Sequence, residues 1–242
     1  MRHVIVCLLA AVLLMVVIGI VLQSHAQTPA APPALGKVEE TVLGAMQGLK
    51  PIWSSLFVSE DHSHMACAAQ KGNKWLVVVD GKAGQEYDDI MRGYPVLSPD
   101  GKRVAYPALQ GKKWVMVVDD RTGPECDGVS KGASIFSPDG KRAAYLVQKG
   151  TKWSAVVDGK AGPEYDDVAW GFPVFSPDSK RVAYPARNGE KWLVVVDDKP
   201  GPEYDAVLRN TPAFRADGTL EYLAMKGESL LRVKSPPVEA PK

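Results

Sequence analysis

The chain has 242 residues, with 29 basic and 28 acidic side chains and a net charge of +1. So even a balance provides no field to attract nucleic acid. Three cysteines without paired spacing suggest neither a disulfide framework nor a zinc site.

Met1-Arg2-His3 precedes an apolar run from Val4 to Leu22, followed by Gln23-Ser24-His25-Ala26. A basic start, an apolar core and a small-x-small end describe residues 1–26 as a secretory signal cleaved after Ala26. The run is 19 residues long, close to the roughly 20 that span a bilayer, so an uncleaved anchor is the alternative. Either way the body is expected in the periplasm or outside the cell, touching membrane only through this segment. Residues 27–37 form a Pro/Ala-rich linker and residues 235–242 a loose tail.

Residues 38–234 are organised by a 39-residue repeat. Trp75, Trp114, Trp153 and Trp192 keep that step, as do Ser98-Pro99-Asp100-Gly101, Ser137-Pro138-Asp139-Gly140 and Ser176-Pro177-Asp178-Ser179. Arg215-Ala216-Asp217-Gly218 and Ser59-Glu60-Asp61-His62 are worn copies, giving five units. Self-similarity at this period means a solenoid, propeller or array.

In one unit, Pro173-Val174-Phe175 is a short strand stopped by turn residues. Val182-Ala183-Tyr184 is a second strand. Trp192 to Val196, apolar on both faces, is a third that is buried on both sides. Asp-Gly pairs such as Asp158-Gly159 mark a hairpin after it, and Glu203 to Val207 alternates as a fourth, outer strand. Four short strands repeated five times describe an all-β fold, a single five-bladed β-propeller of four-stranded antiparallel blades. The fifth unit runs into Pro236-Pro237 without a fourth strand. Part of Val38 to Ile52 is therefore expected to supply it and close the ring; the competing expectation is closure by oligomerisation, with a monomer preferred.

The motif Phe-Ser-Pro-Asp-Gly-Lys-Arg-x-Ala-Tyr, with a strand ending in Asp, resembles the WD-repeat-like propeller repeats of TolB-like proteins and of prolyl-oligopeptidase-type peptidases. The resemblance covers about residues 51–234. It implies an exported scaffold that binds something. The chain departs from TolB-like proteins in having five units and only a tether before them, and from the peptidases in having no hydrolase domain.

The repeated acids at Asp100, Asp139, Asp178 and Asp217, and at Asp80, Asp119, Asp158 and Asp197, read as turn chemistry and not as cation ligands. His62 and His64 form a conceivable metal pair without a third ligand, so no metal and no cofactor is expected. Cys67 and Cys126, each in a slot that holds Tyr elsewhere, are expected to be buried free thiols.

Binding residues are sought where the repeats disagree. Trp53, Arg92, Lys131, Trp170 and Arg209 share one slot, read as the connection from an outer strand to the next inner strand, with Tyr94 and Phe172 two places further on. These loops are expected to share a face with lysine-rich hairpins and to bind a protein, a peptide or an anionic envelope polymer. The alternatives are a glycoside hydrolase or lyase with a site in the central channel, and a structural spacer. No catalytic residue is nominated, because the inner strands carry no acid.

Overall fold

A computed structural model describes residues 46, 48–130, 136–168 and 173–237. The leader, the linker and the tail from residue 238 lie outside the described residues, as do Lys131, Trp170 and Phe172. No α-helix occurs among the described residues, which form five antiparallel sheets in chain order.

Sheet I holds β1 (Lys50–Pro51), β2 (Phe57–Val58), β3 (Met65–Lys71), β4 (Lys74–Val79) and β5 (Lys82–Ala83). Sheet II holds β6 (Asp89–Ile90), β7 (Val96–Leu97), β8 (Val104–Gln110), β9 (Lys113–Val118) and β10 (Arg121–Thr122). Sheet III is β11 (Gly128–Val129), β12 (Ala144–Lys149), β13 (Lys152–Val157) and β14 (Lys160–Tyr165). Sheet IV is β15 (Val174–Phe175), β16 (Val182–Asn188), β17 (Lys191–Val196) and β18 (Lys199–Pro200). Sheet V is β19 (Ala206–Val207), β20 (Ala213–Phe214), β21 (Leu220–Lys226) and β22 (Ser229–Ser235).

The expected fourth strand is divided between two sheets. Tyr204 bridges Trp192 in sheet IV, whereas Ala206 and Val207 pair with Met225 and Ala224 in sheet V. Asp205 marks the passage, its N–H donating to the Met225 carbonyl 2.8 Å away. The same division falls after Tyr87 and Cys126. Beyond each passage the chain therefore begins the first strand of the next sheet.

That first strand is interrupted. In sheet II, β6 and β7 both pair with β8, and the chain leaves the edge between them. The excursion lies opposite Pro107, whose carbonyl accepts from Met91 and whose ring nitrogen has no hydrogen to give. A proline in a central strand thus costs no ladder bond, because its neighbour is absent there. In sheet I the equivalent residue is Ala68, and its N–H is satisfied by the Ser55 hydroxyl at 2.9 Å. Pro185 occupies the same place in sheet IV.

Each sheet packs face to face on the next. Ala66, Ala68 and Val77 of sheet I meet Tyr106, Ala108, Val115 and Val117 of sheet II, and one core continues into Tyr145 and Val147 of sheet III. Separate cores join III to IV and IV to V. The β-branched third strands are buried on both faces as their sequence implies.

The described end of the segment expected to close the ring belongs to sheet I. Lys50 and Pro51 pair with Gln70 and Ala69 of sheet I, and so begin that sheet's own first strand. Val38 to Ala45, and Gln47, lie outside the described residues. Among the described residues β22 has one strand neighbour, β21, so the outer edge of sheet V carries no fourth strand.

Candidate functional site

The nominated slot proves to be the excursion from the first strand, beside the middle of the second strand, and not a loop at the hairpin end. Trp53 opens a 3-10 turn, Trp53–Ser55, pinned by Ser55 N–H and Oγ donating to the Ile52 carbonyl. The turn leaves Trp53 63% exposed, and Leu56, Phe57 and Val58 behind it are exposed as well. In sheet II the same places hold Pro95, Val96 and Leu97, which are buried or half-buried under sheet I. Arg92 and Arg209 are exposed at their turns. Tyr94 corrects the expectation: it is 4% exposed and belongs to the core with Ile90 and Val96.

The lysines expected to charge this face are largely committed to internal pairs. Lys74 meets Asp88 at 2.6 Å, Lys152 meets Asp166 at 2.6 Å and Lys191 meets Asp205 at 2.5 Å; Lys113 pairs with Asp127. The second oxygen of each carboxylate accepts a glycine N–H from the next sheet's hairpin: Gly111, Gly150, Gly189 and Gly227. The passage aspartate therefore ties two sheets together. Lysine chiefly holds Asp88, Asp166 and Asp205 below the usual carboxylate range, and the Gly150 N–H chiefly lowers Asp127.

At the opposite end of the sheets an arginine bridges neighbours. Arg103 Nε donates to Asp119 at 2.7 Å, its Nη1 donates to the Gly140 and Lys141 carbonyls of sheet III, and its guanidinium lies 5.1 Å from the Phe136 ring centroid. Arg142 repeats this toward Asp158, Ser179, Lys180 and Phe175. Sheet I has His64 in that slot, with Nδ1 2.7 Å from Asp80. The conceivable metal histidine is thereby engaged, and His62 lies in the turn at φ 57°. The serine hydroxyl of each turn donates to its aspartate, as Ser98 does to Asp100 at 2.6 Å, and lowers the carboxyl. Turn chemistry accounts for these acids.

Cys67 and Cys126 are buried free thiols. Burial raises both, Cys126 to about 11.

The signal missed in the sequence is Pro107 and Pro185. A proline inside a strand whose neighbours are β-branched marks a gap in the adjacent strand. It would have located the excursion of sheet II directly.

No protein-family model and no curated protein matches the chain. Among solved structures it is similar to TolB from Acinetobacter baumannii, at 16% identity over 75% of this chain and 51% of that one, with a TM-score of 0.36. It is also similar to one of two prolyl endopeptidases (14% identity, 78% and 34% of the chains, TM-score 0.40). The periplasmic gluconolactonase PpgL of Pseudomonas aeruginosa gives 12% identity over 76% and 72% of the chains, with a TM-score of 0.35. The chain thus spans about half the length of TolB. At such scores the architecture rests on the five sheets themselves, an all-β array of antiparallel sheets of four or five strands.

Proposed function

We propose that the five sheets are blades of a propeller-type scaffold, that the chain is exported, and that it binds a partner protein without catalysing a reaction. The observation that carries this reading is the apolar stretch Trp53, Leu56, Phe57 and Val58, exposed in sheet I where sheet II buries or half-buries the counterparts of Leu56, Phe57 and Val58. A rigid scaffold with an exposed aromatic anchor is the usual build of a protein-binding surface. A protein is favoured over an anionic polymer because Lys74, Lys113, Lys152 and Lys191 spend their charge within the fold. A non-enzymatic role is supported by the acids: those of the turns and passages are held in their ionised form by hydrogen bonds, opposite to what a general acid needs. Export is supported by the sequence of residues 1–26.

The test is a photo-cross-linking residue at position 53 in the protein's own host. One discrete adduct that Phe57→Ser abolishes is the expected result. An adduct pattern identical with and without Phe57 would sink the reading. Both residues are exposed, so the substitutions should cost no more than about 0.5 kcal/mol of stability.

A further inference from the structure

The sheets meet in a series of clefts, each between the hairpin after one sheet's third strand and the second strand of the next. In the cleft between sheets I and II, Tyr87 and Tyr106 stack edge to face with centroids 6.1 Å apart, and an oxygen of Asp120 lies 3.7 Å from where a side chain on Gly84 would begin. Between sheets III and IV the arrangement recurs: Tyr165 and Tyr184 stack at 6.4 Å, and the Asp198 carboxylate sits directly over Gly162. In each cleft two aromatic rings and a carboxylate of the chain itself narrow the opening, which is about 480 Å³ between sheets I and II and about 220 Å³ between sheets III and IV.

The cleft between sheets II and III departs from this twice. Cys126 stands where the others have tyrosine, so one ring is missing; Gly159 stands where they have Asp120 and Asp198, so the carboxylate is missing. The remaining tyrosine, Tyr145, turns its hydroxyl over Gly123, the place the carboxylate takes elsewhere, and forms no hydrogen bond among the described residues. The result is an opening of 710 Å³. Its walls carry Arg103, Arg121, Lys141 and Arg142 against Asp119 and Asp158, an excess of two positive charges. Arg103 and Arg142 already hold those two aspartates. Arg121, in a slot that is lysine at 82, 160 and 199, has no ion pair among the described residues, and Lys141 has only a 3.9 Å pair with Asp139.

We infer that the cleft between sheets II and III binds a compact organic polycarboxylate, one carboxylate of which supplies the charge of the absent aspartate beside the Tyr145 hydroxyl while Arg121 and Lys141 face its remaining charge. Two separate departures from the repeat converge on one cleft: both enlarge it, and the second also removes a negative charge. The volume admits a molecule well beyond the size of a single ion, and oxyanions are the natural partners of guanidinium and hydroxyl donors. This site is separate from the apolar surface around Trp53 and stands or falls independently of it.

The experiment is calorimetric titration of the full chain with citrate in low-salt buffer, with succinate, phosphate and sulfate as comparison arms. Citrate is expected to bind at one site per chain and more tightly than phosphate or sulfate. Gly159→Asp returns the sister carboxylate at a backbone conformation that Asp120 and Asp198 already adopt, at φ 62° in both. It should weaken citrate about tenfold or more through like-charge repulsion. Gly81→Asp makes the same change in sheet I, outside this cleft, and should leave binding within about twofold. Arg121→Ala, at an exposed side chain, provides a second loss variant should Gly159→Asp fold poorly. Absence of citrate binding overturns the proposal, as does equal binding of citrate and sulfate. So does a loss in Gly81→Asp as large as in Gly159→Asp, which would mean a response to net charge alone.

Discussion

Sheets IV and V derive from the same repeat, yet they treat their faces differently. Sheet IV buries both: Val182, Tyr184 and Ala186 against sheet III, and Ala183 and Val194 against sheet V. Sheet V buries Leu220, Tyr222 and Ala224 against sheet IV, while its far face carries Glu221, Arg232 and Lys234 together with the exposed Met225 and Leu230. Glu221 stands in the slot of Ala183 and Arg232 in that of Val194, offset by 38 residues because the fifth unit is one residue shorter. Arg215 and Arg232 both pair with Glu221, at 2.6 and 3.2 Å. At the other end, Met46 and Leu49 lie against the far face of sheet I, whose Cys67, Ala69, Leu76 and Val78 are buried. Charged residues at the centre of a terminal repeat's outer face limit the apolar surface that a stacked array leaves exposed at its end. The difference teaches that the unit specifies a packing partner on each side, and that few residues retract one of them.

Exchanging the residues of the two sheets breaks the comparison most strongly. Val194→Arg places an unpaired charge between sheets IV and V and should cost more than about 3 kcal/mol. The reverse change, Arg232→Val, should stay within about 1 kcal/mol. Urea unfolding of both variants checks this, and equal costs would mean that the far face of sheet V is covered as sheet IV is.

A smaller effect tests the arginine bridge. Arg142→Ala removes bonds to Asp158 and to two carbonyls of sheet IV and should cost about 2 kcal/mol. Arg215→Ala on the open end, at a 64% exposed side chain, should cost under about 1 kcal/mol. A calorimetric melt of each would show it.

The smallest effect is on acid stability. Asp88, Asp127, Asp166 and Asp205 have folded-state pKa values below their unfolded ones. Their contribution is therefore complete above the unfolded value, about pH 4, and is lost as pH falls through the folded value. Tm should be level from pH 7 to about pH 5 and then decline. Asp166→Asn should lower the neutral Tm and flatten the decline. An unchanged acid slope would remove the passage aspartates from the account.

The repeat period, the turns and the doubly buried third strand were legible because Trp192 to Val196 and Ser176 to Ser179 are local signals whose meaning does not depend on distant partners. The division after Tyr204 was not, since alternation across Glu203 to Val207 is the same whether one sheet or two receives it. Which partner each half finds is decided by long-range pairing. The exposure expected of the slot was legible at Trp53 and Arg92 but not two places further on, where Tyr94 is buried as its counterpart Ser55 is in sheet I, because that position turns inward in both sheets. Lys50 and Pro51 are too short a stretch for pattern to assign to sheet I, where they pair.

The passage from one sheet to the next within two residues, Cys126 to Asp127 among them, has a consequence for how such a chain can grow. A covalent unit of 39 residues is out of phase with the structural unit it helps to build, as courses of brick are offset from one another. Tandem duplication of any whole period therefore inserts the tail of one sheet together with the head of the next. The newcomer is interlocked on both sides from the moment it is copied, wherever in the period the break happened to fall. Only the two outermost copies are left with unmatched halves, and it is there, at Leu49 and Ser235, that the sequence departs furthest from its own pattern.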